Sequence, residues 1–186
     1  MKKNICVFGG SVSGKNIENQ KTAKIIGKII AENNFNIVFG GGENGIMGAV
    51  AQSGIENGAK TTGIIPNFLL KKDILDSAHS KIFNSKLIKT KTMHQRKKMM
   101  YDSSHGFLVL PGGIGTLDEC FEVLTWCQLN QIKNKNVGII NFKGYWDPLI
   151  NLIKHIIKEE YMRPNNLNYY EEIKNINSLK IFLKNI

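Results

Sequence analysis

The sequence is sparing with cysteine and proline and has no long apolar run, and each shortage excludes something. Its three cysteines, Cys6, Cys120 and Cys127, are odd in number and far apart. They fit neither a disulfide framework nor a paired-cysteine zinc site. Such usage points to a reducing compartment, so the expected address is cytoplasmic. Only four prolines occur, Pro66, Pro111, Pro148 and Pro164, and no internal repeat, low-complexity linker or Pro-rich break divides the chain. Residues 1–186 are therefore expected to form a single domain, long enough to bury its own core. No apolar stretch approaches the ~20 residues of a membrane span. The opening run Ile5-Cys6-Val7-Phe8 is too short for a signal peptide despite Lys2 and Lys3.

Acidic residues are the minority, 15 against 25 Lys and Arg, for a net charge of +10. Between Lys71 and Lys98 nine basic residues stand against two acidic ones. Such a stretch suits nucleic acid, a membrane surface or a phosphorylated small molecule, or is simply a solvated face. Phe83 is its single aromatic residue and no nucleic-acid motif is present. A basic rim steering a phosphorylated small molecule is enough, and neither nucleic acid nor membrane is an expected partner.

What is present is alternation. Short apolar runs at 5–8, 36–39, 62–65, 87–88, 106–110 and 137–140 read as strands. Between them, 16–33, 45–57, 93–103, 115–130 and 145–160 read as helices, with a short amphipathic helix at 178–185. The stretch 71–85 is ambiguous. Apolar strands alternating with helices predict an α/β, Rossmann-like doubly wound sandwich, its mainly parallel sheet flanked by helices. In such sheets ligands bind beyond the carboxyl ends of the strands, where strand order reverses.

Three predicted strands run into glycines: Gly9-Gly10, Gly40-Gly41-Gly42 and Gly112-Gly113. The strongest of these turns is Leu110-Pro111-Gly112-Gly113-Ile114-Gly115-Thr116-Leu117-Asp118-Glu119. A helix starting there offers unpaired amides and a positive dipole end to a phosphate, and Thr116 can add a hydroxyl. A capping box, Thr116 with Glu119, explains the glutamate equally well but not the glycines. Neither a dinucleotide fingerprint nor a P-loop fits. In Gly42-x-x-Gly45-x-x-Gly48, tight packing and ligand contact remain equal alternatives. Ser11, Ser13 and Lys15 place hydroxyls and an amine near the same edge. On the helix at 93–103, Arg96 shares a face with Met93 and Met100. It either snorkels at the core edge or meets a partner, a phosphate or Glu119.

Met93-His94-Gln95-Arg96-Lys97, followed by Pro111-Gly112-Gly113-Ile114-Gly115-Thr116-Leu117-Asp118-Glu119, resembles the paired signature of the LOG (lonely guy) family. Phe39-Gly40-Gly41-Gly42 with Gly45-Ile46-Met47-Gly48, Val7-Phe8-Gly9-Gly10-Ser11, and the run from Glu122 to Leu129 extend the likeness from about residue 4 to residue 160. The resemblance implies a cytokinin riboside 5′-monophosphate phosphoribohydrolase. Such an enzyme hydrolyses the N-glycosidic bond of AMP or N6-prenylated AMP to free base and ribose 5-phosphate. Carried over, the catalytic pair is Arg96 and Glu119, and the phosphate loop is Gly112, Gly113, Ile114, Gly115 and Thr116. Lys97, Thr125, Met93, Ser11, Lys15, Gly42 and Asp76 are the further substrate contacts.

The chemistry agrees with this transfer. A carboxylate beside C1′ can stabilise an oxocarbenium-like sugar or position a water. Arg96 can hold the phosphate, orient Glu119 or stabilise the departing base. The reaction needs no metal, and the expected cofactor is none. The family's other label, lysine decarboxylase, has no pyridoxal-phosphate site to support it here. A homodimer is implied. The sequence departs from the family at Ser103-Ser104-His105, Asp118 and Asp76, which leaves base preference open. The alternative is a non-catalytic nucleotide or molybdenum-cofactor carrier of the same superfamily. The presence of both Arg96 and Glu119 argues against it.

Overall fold

The computed structural model describes residues 2–73, 86–129, 131, 136–162 and 170–186. Its sheet has seven strands in the order β4-β3-β2-β1-β5-β6-β7. These are β1 (Asn4–Phe8), β2 (Asn36–Phe39), β3 (Thr61–Pro66), β4 (Lys86–Thr90), β5 (Gly106–Val109), β6 (Asn136–Ile140) and β7 (Glu171–Ile173). Every pairing is parallel. The parallel α/β expectation is borne out. The order reverses between β1 and β5, where Ile5 pairs with Gly106 and Phe8 with Val109. The glycine-bearing carboxyl ends of these strands thus lie at the switch point.

Period-two alternation sorts the β1 side chains. Ile5 and Val7 face one helical layer; Cys6 and Phe8 face the other. On the first side lie α1 (Ile17–Glu32), α2 (Gly45–Glu56) and α7 (Ile176–Lys184), with Ile26, Ile30, Val50 and Phe182 in the core. On the second lie α4 (Met93–Asp102), α5 (Ile114–Gln128) and α6 (Asp147–Lys158), with Met100, Tyr101, Cys120, Val123 and Ile150 inside. The short α3 (Asn67–Asp73) leaves β3, and Leu70 packs with Ile65.

Element bounds follow the sequence reading closely, with three differences. α3 occupies the start of the ambiguous stretch, and the remainder, 74–85, lies outside the described residues. Asp76 falls there. A single 3-10 turn at Phe142–Gly144 precedes α6, with Lys143 at φ 62°. Strand β7 has no counterpart in the sequence reading. It is anchored from the side: the buried Asn141 amide donates to Glu172 Oε1 and Asp147 Oδ1, both at 2.7 Å, and its oxygen accepts from the Trp146 N–H.

Candidate active site

The three glycine turns meet at one edge, as expected. Gly10 N–H donates to the Pro111 carbonyl at 3.0 Å, joining the first turn to the third. The Gly10 carbonyl accepts from the amides of Ile46 and Met47 at 2.9 and 3.2 Å, joining the first to the second. Gly45 and Gly48 are packing glycines. A β-carbon on Gly45 would stand 2.4 Å from the Ser11–Val12 backbone, and one on Gly48 would stand 1.9 Å from the Glu43 carbonyl.

The helices leaving these turns differ at their first residues. α1 is closed by its own Asn16, whose Oδ1 accepts from Glu18 N at 3.0 Å, and Glu18 adds a charge in the first turn. α2 is closed by the Gly10 carbonyl. α5 starts at the N-cap Gly113 with no side-chain cap and no acid in its first turn. Its first helical bond runs from Leu117 N to Gly113 O, leaving the amides of Ile114, Gly115 and Thr116 ahead of it. Among the described residues nothing accepts from them. Ile114 is 82% exposed, and a β-carbon on Gly113 or Gly115 would meet nothing within 4 Å. Three outward amides at the positive end of a helix dipole form an anion seat. Gly112 is closed in the opposite sense. A β-carbon there would stand 2.1 Å from Thr116 Oγ1 and 2.7 Å from Gly10 N. The Tyr145 hydroxyl, donating to the Gly112 carbonyl at 2.7 Å, ties this loop to the segment after β6.

The capping-box alternative fails. Thr116 is the third residue of α5, not its cap, and Glu119 does not reach back to the helix start. Its Oε1 instead meets Arg96 Nη1 at 2.9 Å. Both residues are buried, Arg96 7% and Glu119 4% exposed. The snorkelling alternative for Arg96 fails with it. Arg96 Nε donates to the Ile64 carbonyl at 3.1 Å, so the guanidinium spans from α4 over the end of β3. Burial pushes the Glu119 carboxyl up to about 7, against the attraction of Arg96, with Asp118 adding to the rise.

Lys97, next on the buried face of α4, meets Asp118 Oδ2 at 3.0 Å and Glu122 Oε2. Burial works against its charge, and the two carboxylates together outweigh burial, holding the ammonium above the usual lysine range. The Tyr101 hydroxyl donates to the same Glu122 oxygen at 3.1 Å, and its ring meets Trp126 edge-on at 4.5 Å. A polar seam thus joins α4 to α5, running from Tyr101, Glu122 and Lys97 to the buried pair Arg96 and Glu119.

The other expected contacts are spread around this core. Met93 is half-buried at the first position of α4, one residue after its cap Thr92. Thr125 is exposed on α5 and donates to the Phe121 carbonyl. Lys15 is exposed on the loop before α1. Ser11 and Gly42 line a cavity of about 620 Å³ with Gln20, Lys24, Glu43 and Gln52, between α1 and α2. That cavity lies on the sheet face away from α4 and α5. Among the described residues no group of three or more His, Cys, Asp or Glu is arranged to hold a metal ion. No described helix is long and apolar enough to cross a membrane. Sequence reasoning missed Tyr145 and Asp118; their roles depend on partners brought together only by the fold.

Glycine turns gathered at the switch point beside a buried arginine–glutamate pair place the chain in the class of parallel, Rossmann-like α/β sandwiches. The chain belongs to the LOG-type family whose model, described as possible lysine decarboxylase, matches residues 47–180. It is 38% identical over 163 residues to the rice (Oryza sativa subsp. japonica) protein named "Probable cytokinin riboside 5'-monophosphate phosphoribohydrolase LOGL6". That match covers 88% of this chain and 63% of the relative, so the chain spans less than two thirds of the rice protein. Against the Arabidopsis thaliana cytokinin riboside 5'-monophosphate phosphoribohydrolase LOG1 it is 36% identical over 162 residues, covering 87% of this chain and 73% of the relative.

Solved structures share the fold. The molybdenum cofactor carrier protein of Chlamydomonas reinhardtii superposes with a TM-score of 0.70 at 18% identity, over 99% of this chain and 97% of that one. The molybdenum cofactor binding protein of Rippkaea orientalis gives 0.68 at 21%, over 99% and 96%.

Proposed function

We propose that this chain hydrolyses the N-glycosidic bond of a nucleoside 5′-monophosphate, AMP or N6-prenylated AMP of the cytokinin type, to free base and ribose 5-phosphate. The observation that carries the reading is the buried Arg96–Glu119 pair one helical turn below the open amides of α5. The phosphate sits on Gly112 to Thr116, which brings the ribose over Glu119. As the bond from C1′ to the base nitrogen breaks, the base leaves with the electron pair and the sugar gains oxocarbenium character. Glu119, as carboxylate, stabilises that cation, takes the proton of the water whose hydroxide adds to C1′, and passes that proton to the departed base, which leaves neutral and returns Glu119 to the carboxylate. A carboxyl titrating at about 7 is matched to such base work at neutral pH. Arg96 fixes the direction of the carboxylate.

Met93 and Thr125 are further contacts on the α4–α5 side in this reading. Ser11, Lys15 and Gly42 form the opposite rim, and Asp76 stays a proposed contact. A single domain over 1–186, a homodimer and a cytoplasmic address complete it. The identities to named phosphoribohydrolases over 87–88% of the chain support the activity.

The test is incubation with AMP and, separately, with N6-isopentenyl-adenosine monophosphate, following free base by chromatography. Base release is expected from the wild type and not from Glu119→Gln, which still binds AMP. The fold likeness to molybdenum cofactor carriers favours a second reading, binding without turnover. Bound AMP with no base release by the wild type selects that one.

A further inference from the structure

The peptide joining Gly112 to Gly113 leads into the open end of α5, and one side chain holds it. Its carbonyl accepts from the Tyr145 hydroxyl at 2.7 Å. Its amide, on Gly113, has no acceptor among the described residues. As the N-cap of α5, Gly113 carries the first of the four N–H groups that a helix leaves unpaired, ahead of those of Ile114, Gly115 and Thr116. In a planar trans peptide the carbonyl and the N–H point in opposite directions. The bond to Tyr145 therefore fixes the side to which the Gly113 amide faces.

Glycine at both ends leaves this peptide little else to hold it. A flip of its plane changes ψ at Gly112 and φ at Gly113 while the α-carbons stay in place. It would carry Gly113 from its φ of −103° into the positive-φ half of the map, which glycine enters freely. A β-carbon on Gly113 would meet nothing within 4 Å, so the residue stands in open space. After a flip the Gly112 carbonyl oxygen, the negative end of a dipole, would take the place of the first amide and oppose an anion.

Tyr145 is itself firmly placed. Asn141, 4% exposed, bonds the Trp146 N–H and the Asp147 carboxylate just beyond it. Lys143 and Gly144 take successive positive φ values of 62° and 75°, and a β-carbon on Gly144 would stand 2.6 Å from Asp147 Oδ2. The tyrosine ring meets the buried Trp146 ring edge-on at 4.7 Å. A closely bonded turn after β6 thus presents the hydroxyl to the glycine loop.

We propose that Tyr145 is a positioning residue for phosphate: its hydroxyl locks the Gly112–Gly113 peptide in the orientation that adds the Gly113 amide to the anion seat. The proposal rests on the reading of Gly112 to Thr116 as the phosphate loop. It does not require the ring to touch the nucleotide.

The experiment compares the wild type with Tyr145→Phe, which removes only the hydroxyl, and Tyr145→Leu, which removes the ring as well. Tyr145 is 44% exposed, so Tyr145→Phe should fold as the wild type does, which circular dichroism checks. NMR of ¹⁵N-glycine-labelled protein reads the Gly113 amide, assigned by its loss in Gly113→Ala. Without ligand, relaxation dispersion should show Gly113 quiet in the wild type and exchanging in Tyr145→Phe. Titration with inorganic phosphate should show affinity falling roughly three- to tenfold, the loss of one hydrogen bond. KM for AMP should rise by a similar factor, with kcat changed less. Tyr145→Leu should lose no more phosphate affinity than Tyr145→Phe.

Phosphate affinity in Tyr145→Phe within twofold of the wild type overturns the proposal, and so does a loss confined to Tyr145→Leu, the mark of ring packing. A loss with Gly113 still quiet makes the hydroxyl a direct phosphate contact and overturns the lock. A wild type that binds no phosphate removes the seat and the proposal together. The titration needs no turnover. A wild type that binds phosphate and releases no base defeats the hydrolase reading and leaves this test intact.

Discussion

The Arg96 guanidinium lies against the α-carbon of Gly40, so close that a β-carbon on that glycine would stand 2.1 Å from Nη2. The end of β2 is thereby part of the site, although Gly40 contributes no side chain. The Gly40-Gly41-Gly42 turn makes room for the arginine that reaches Glu119.

Gly40→Ala therefore tests the placement of Arg96. The extra methyl displaces the guanidinium from its bonds to Glu119 Oε1 and the Ile64 carbonyl. A displacement of this kind is expected to cost about 10²-fold in turnover. Base release under saturating AMP, with circular dichroism to confirm the fold, checks it. Turnover within a factor of two of the wild type removes Arg96 from the mechanism.

Gly115→Asp tests the anion seat. The new side chain meets open space, and a carboxylate in the first turn of a helix is stabilising by roughly 0.3–1 kcal/mol. The same carboxylate sits where the phosphate would. Thermal stability should hold or rise while AMP affinity falls by at least about tenfold, a loss of about 1.4 kcal/mol. Calorimetric titration with AMP reads the outcome. Unchanged affinity would place the phosphate elsewhere.

Glu119 also leaves a mark on stability. Its carboxyl titrates at about 7 in the folded chain, against a usual 4.5. Between those values the native protein keeps a proton that the unfolded chain releases, so stability falls as pH rises. The contribution is fully present below about 4.5 and lost by about 7, and is on the order of 3 kcal/mol. Urea unfolding of the wild type and Glu119→Gln across this range should show the wild type losing ground to the variant as pH rises. Parallel curves would mean an ordinary carboxyl.

Much of the fold and part of the site were legible because the signals are local. Gly112, Gly113 and Gly115 announce a strand-to-helix turn within four positions, and the apolar runs of β1, β2 and β5 announce a buried parallel sheet. Arg96 was legible as an oddity, a charge on an apolar stripe, but its choice between solvent and Glu119 lay with a helix starting 18 positions later. β7 left no pattern. Glu171 and Glu172 are charged, and on an edge strand Ile173 alone supplies a fully buried side chain. The Tyr145 bond to Gly112 spans 33 positions, and nothing near the tyrosine in the chain hints at it. The pairing of Lys97 with Asp118 and Glu122 is hidden for the same reason: each looks like ordinary surface charge until α4 and α5 are laid together.

Of the three helices that leave the glycine turns, Asn16 and Glu18 close one and the Gly10 carbonyl closes another, leaving the amides of Ile114, Gly115 and Thr116 facing outward. The consequence is one of stoichiometry and direction. Related sheet topologies hold two linked phosphates at their crossover, but these turns provide one berth. With the phosphate of the proposed nucleotide on these amides, inorganic phosphate is expected to displace it one for one.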